Sequence, residues 1–170
     1  MKAATKTSPV RLLILTIATC ALSMLFFGAL VFFTSGSRLM TRSPAERTAN
    51  EIAALSVALE SYKADNGDYP SNAETTRLRA DTHFSPKDYI TASKVLYRSL
   101  AGTNDGKVYF EFSTNMVKRD SRGETYIVDP NGCSYGYSTA GAKNGPNFFD
   151  LWSTGSGTTV SATNRWIVNW

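Results

Sequence analysis

From Leu12 to Phe33 the chain runs for 22 residues without a charged side chain, dominated by Leu, Ile, Ala, Val and Phe. At helical rise roughly 20 such residues cross the hydrocarbon core of a bilayer, so the run predicts a transmembrane helix over residues 12–33. A cleaved signal peptide has a shorter apolar region, roughly 7 to 15 residues, followed by small residues. Thr34-Ser35-Gly36-Ser37 would supply the small residues, yet the length of the run favours a retained anchor. Lipidation at Cys20 fits poorly, because Thr19 precedes it and the apolar run continues past it.

Charge is distributed around this run. Lys2, Lys6 and Arg11 precede it, Arg38 and Arg42 follow it, and no Asp or Glu occurs before Glu46. The net charge is +4, but without those five the remaining 13 Lys and Arg face 14 Asp and Glu. The rest of the chain is therefore close to neutral and does not offer the clustered basic surface that nucleic acid requires. The positive residues are read as orienting the anchor, with residues 1–11 cytoplasmic, a linker over 34–43, and a domain over 44–170 outside the cytoplasm. Cys20 lies in the apolar run and Cys133 stands alone beyond it, so this domain must hold together by packing rather than by an internal disulfide.

Ser43-Pro44-Ala45-Glu46 has the form of a helix start, with a capping Ser, Pro in the first turn and a Glu three residues after the cap. Ile52, Leu55, Leu59 and Tyr62 follow at spacings of three and four, with Glu51, Ser56, Glu60 and Lys63 between them as a wet back. This predicts a long amphipathic helix over 44–65, stopped by Gly67 and Pro70. A second start at Ser85-Pro86-Lys87-Asp88 leads into Tyr89, Ile90, Leu96, Tyr97 and Leu100, a shorter helix ending at Gly102.

Beyond Gly106 the pattern alternates. Val108 to Phe112 and Tyr126 to Val128 predict strands, Asp129-Pro130-Asn131-Gly132 predicts a turn, and Ser134 to Ser138 predicts an antiparallel return. Phe148 to Trp152 predicts a last strand. The expected fold is α+β: a transmembrane helix, a long helix, a short helix, and a small antiparallel sheet over roughly 107–153. Trp166, Ile167 and Trp170 are expected to pack back on this head.

Catalytic signatures are missing from the sequence. The single His, His83, sits in a polar stretch, and no Gly-x-Ser-x-Gly elbow, paired zinc ligands or phosphate-binding Gly loop accompanies it. Trp152, Trp166 and Trp170 could form a glycan platform, but in a small domain such residues are read as core. Asp65 and Asp68, beside Asn66-Gly67, are read as turn residues rather than metal ligands. The chain is expected not to be an enzyme and to have no small-molecule substrate.

Three stretches together resemble the type IV pilin-like proteins, most closely the major pseudopilin (pseudopilin G) of type II secretion systems. They are Ala58-Leu59-Glu60-Ser61-Tyr62-Lys63-Ala64-Asp65-Asn66-Gly67-Asp68-Tyr69-Pro70, then Asp129-Pro130-Asn131-Gly132 with Tyr135 and Tyr137, and Phe149-Asp150-Leu151-Trp152-Ser153-Thr154-Gly155. The resemblance implies a subunit anchored in inner-membrane lipid that assembles with other pilin-like subunits, or with itself, to serve secretion machinery, its head in the periplasm. It also implies a calcium loop, for which Asp150 would be the metal candidate. No Asp or Glu follows Asp150 through Trp170, a sparse ligand set for that ion. The apolar run lacks the acidic residue that family members carry after their leader. That difference points to the alternative, a membrane-tethered binding or adaptor domain with a pilin-like head that does not polymerise.

Overall fold

A computed structural model describes residues 43–102, 106–157 and 159–170. The expected anchor over 12–33, the segment before it and all but the last residue of the linker lie outside the described residues. Among the described residues no helix is long and apolar enough to cross a membrane.

Helix α1 spans Pro44–Asn66. Its start is the capping box anticipated from sequence: the Glu46 N–H donates to Ser43 Oγ over 3.2 Å, and the Ser43 N–H donates to Glu46 Oε2 over 3.0 Å. These bonds occupy donors that a helix N-terminus leaves unpaired. The helix ends where Gly67 takes φ 87° and its N–H reaches the Lys63 carbonyl over 2.8 Å. The left-handed conformation costs glycine little. The inward face of α1 carries Thr48, Ile52, Leu55, Ala58 and Leu59, all buried. The expected wet back is only partly wet, since Glu51, Ser56 and Lys63 are half-buried.

Helix α2, Ile90–Leu100, is preceded by a 3-10 turn over Pro86–Tyr89 and buries Ala92, Ser93, Leu96 and Leu100. The segment Val108 to Phe112, expected to be a strand, is not one. The N–H groups of Tyr109 and Phe110 both donate to the Leu100 carbonyl, over 2.8 and 3.0 Å, satisfying an acceptor that the helix end leaves open. Tyr109 then meets Tyr62 edge-on at 5.2 Å, and Phe112 lies 5.4 Å from Tyr97. The alternating aromatics strap the ends of two helices together instead of joining a ladder.

The strands form two antiparallel sheets rather than one. Strand β1, Val117–Arg119, pairs with β2, Thr125–Ile127. The expected hairpin from Tyr126 to Ser138 survives only as a bridge between Val128 and Ser134 around the Asp129 to Gly132 turn. Strand β3, Gly136–Ser138, leaves that hairpin to pair with β4, Asp150–Ser153, which pairs in turn with β5, Ile167–Val168. Strand content thus extends over residues 117–168 instead of 107–153. Burial of both faces of β3 and β4 explains the exchange of partners: all seven of their residues are buried, which a lone hairpin on one face of the domain could not provide.

The core joins α1 and α2 to this second sheet. Leu55, Leu59, Leu96, Leu100, Ile127, Tyr135, Tyr137, Leu151 and Trp152 are all completely buried, and burying such side chains favours folding by roughly 1.5–3 kcal/mol each. Trp166 joins this core, whereas Trp170, expected to do the same, is 42% exposed with its ring 6.2 Å from Trp152.

Candidate functional site

Helix α1 has one face committed to the core and another left open. On the outward side Ala49, Ala53 and Val57 follow one another at four-residue intervals, all exposed, with Val57 67% accessible. That spacing places them in one row along the helix. Hydroxyls bordering the row turn back into the helix: Ser56 donates to the Ile52 carbonyl over 2.8 Å and Ser61 to the Val57 carbonyl over 3.0 Å. What the row presents is short and apolar, a surface against which a second helix can approach closely.

Behind this helix a polar belt fastens it to the sheet. Tyr135 donates its phenolic hydrogen to Glu51 Oε2 over 2.5 Å, and Ser93 donates to the Tyr135 carbonyl over 2.7 Å. Tyr137 donates to the Pro70 carbonyl over 2.8 Å. Burial raises the Glu51 pKa, and the nearby Asp129 adds to this, while the Tyr135 bond and Arg47 act the other way. Burial likewise pushes Tyr89 up to about 12.

Asp129 is the hub of the turn that carries Pro130, Asn131 and Gly132. Its carboxylate is buried and accepts the N–H groups of Asn131 and Cys133 over 2.9 Å each and the Ser153 hydroxyl over 2.5 Å. The turn thereby locks onto strand β4. Sequence alone marked Asp129 as a turn residue and Glu51 as solvated. An Asx turn is visible in the Asp-Pro-Asn-Gly pattern, but the bonds that hold the buried Asp129 and the half-buried Glu51 come from partners 24 and 84 residues away.

Asp150, the calcium candidate, is buried with Oδ2 accepting the Lys143 N–H over 3.0 Å and Oδ1 the Asn144 N–H over 2.9 Å. Both oxygens thus organise the Ala140 to Asn147 loop. Among the described residues no group of three or more His, Cys, Asp or Glu gathers in metal-binding range. Asp65 pairs with Lys107, and Asp68 is exposed in the turn after α1. His83 sits in its loop with Nδ1 3.0 Å from the Thr82 hydroxyl and 3.2 Å from the Arg79 carbonyl. Cys133 is half-buried with Sγ 3.8 Å from the Gly155 carbonyl, and burial raises its pKa. A thiol so placed is a weak nucleophile.

No protein-family model, curated protein or solved structure matches this chain.

Proposed function

We propose that this chain is a pseudopilin-like structural subunit, held in the inner membrane by residues 12–33 with its head in the periplasm, that acts by assembling with other pilin-like subunits or with itself. One observation carries the reading most directly: α1 is strongly capped, and its outer row of Ala49, Ala53 and Val57 is left without cover by the head. Short side chains let helix backbones approach, and an apolar run preceding such a helix can exchange lipid contacts for neighbouring helices. Association of this kind requires no catalytic group. The three stretches that resemble pseudopilin G supply the family context, and two of them hold the turn and the strand that Asp129 ties together.

The absence of an acidic residue between Leu12 and Phe33 favours a second reading, a tethered adaptor that docks one partner without polymerising. A cysteine placed at Val57 in a Cys20→Ser, Cys133→Ser background separates the two. Oxidation in membranes yields α1-to-α1 crosslinked species if subunits assemble through this row. Full membrane extraction as an uncrosslinked monomer, with the assembly partners co-expressed, overturns the subunit reading and leaves the adaptor.

A further inference from the structure

Strand β5 lies at the edge of its sheet, and its outer side is unpaired. The register sets Val168 opposite Trp152 and Ile167 opposite Ser153, and the Asn169 N–H donates to the Leu151 carbonyl over 3.1 Å. In an antiparallel ladder this places Val168 at a position that does not bond to its cross-strand neighbour, so its N–H and C=O point away from β4. The Trp166 C=O and the Trp170 N–H share that side of the extended chain. None of these four groups has a hydrogen-bond partner among the described residues. An open row of alternating donors and acceptors is a template for another strand.

Beside the edge is a cleft of ≈ 440 Å³, walled by Trp166, Val168 and Trp170 from β5 and its flanks and by Phe84 and Asp81 from the loop opposite. Phe84 and Trp166 lie 5.9 Å apart, and Trp170 leaves 42% of its surface to solvent. The charge around the cleft is uneven. Asp81 is engaged by Arg79 through two bonds of 3.1 Å, and Lys143, exposed on the rim, adds a second positive charge near it.

We infer that this edge takes an extended peptide segment of a partner protein as an added strand, with an apolar side chain in the aromatic cleft and an acidic side chain near Lys143. The backbone row selects a peptide over a sugar, because a glycan can stack on Trp170 but cannot continue a strand ladder. Arg79 and Lys143 outnumber Asp81 at the cleft, which favours an acidic side chain there. The inference is independent of the assembly row on α1, which lies on another element.

The test uses the full chain in detergent micelles with an end-capped eight-residue peptide of alternating glutamate and valine. Binding is read from tryptophan fluorescence and from hydrogen exchange at the Val168 and Trp170 amides. Expected results are saturable binding with slowed exchange at Val168, and affinity weakened about ten-fold or more for the same peptide N-methylated throughout. A lysine–valine peptide should also bind less well. Val168→Pro removes the outward N–H without breaking a bond to β4, a change tolerated at sheet edges, and should weaken binding similarly. Equal binding of the N-methylated peptide overturns strand addition. So does binding of a chito-oligosaccharide without peptide binding, or protection of Val168 that grows with protein concentration alone, which would assign the edge to a second copy.

Discussion

The phenol of Tyr135 meets the carboxylate of Glu51 at 2.5 Å, joining the long helix to the sheet across 84 residues of sequence. Because Glu51 has a raised pKa in the fold, the folded state holds that proton more tightly than the unfolded chain does. Its contribution to stability is therefore complete below the unfolded value of 4.5 and is lost as pH rises through the higher folded value. The melting temperature of Glu51→Gln minus that of the parent should rise from pH 4 to pH 7; a falling difference would contradict the assignment. Tyr135→Phe leaves the carboxylate without its donor and should cost about 1–3 kcal/mol at neutral pH.

Gly136 lies opposite Trp152, and a Cβ at position 136 would sit 2.0 Å from the indole Cε2. Glycine is required here by the ring, not by an unusual backbone angle. Gly136→Ala should destabilise the fold by about 1–3 kcal/mol or more in chemical denaturation. Trp152→Leu should recover part of that loss in the double variant, and a purely additive result would show that the clash is not the cause.

Removing the Ser43 hydroxyl breaks the bond that holds the Glu46 N–H. Ser43→Ala should lower stability by about 1 kcal/mol, whereas Ser43→Asp should stay within a few tenths of the parent. Thermal unfolding followed by circular dichroism distinguishes them.

Lys94 spans from α2 to the first hairpin, bonding Asp120 and, over 2.7 Å, Glu124. Lysine beside them lowers both carboxyl pKa values, and the pair raises that of Lys94. The carboxylate contribution is present above their ordinary values of 3.8 and 4.5 and is lost as pH falls through the depressed folded values. The lysine contribution is present below 10.5 and is lost as pH rises through its elevated folded value. Lys94→Met should melt below the parent at pH 7, and the gap should close as the pH falls below 3.8 through the depressed folded values. A gap unchanged at low pH would mean that Lys94 acts through packing alone.

What could be read in advance was governed by short-range contact. The capping box links Ser43 to Glu46 and the stop links Gly67 to Lys63, three and four residues apart, so pattern and structure coincide at both ends of α1. The stripe of Ile52, Leu55 and Leu59 was equally legible, since one helix turn suffices to align it. Alternation at Val108 to Phe112 did not mark which side chains are covered: Val108 is 54% exposed, whereas Tyr109 and Phe112 meet Tyr62 and Tyr97 rather than a neighbouring strand. Strand β5, two residues long, was too short to leave a periodic trace.

Residue order alone thus determined where α1 begins and ends, which faces of α1 and α2 are apolar, and where the chain turns at Asp129, because each of these is settled among near neighbours. The expected start at Ser85-Pro86 became a 3-10 turn, and α2 begins only at Ile90. Tertiary structure decided that Glu51 is half-buried and Asp129 buried, that β3 leaves β2 for β4, and that the outer edge of β5 stays open. Those outcomes depend on groups brought together only when the whole core closes, and the free energy of burying a charge or pairing a strand is set by the partner that arrives.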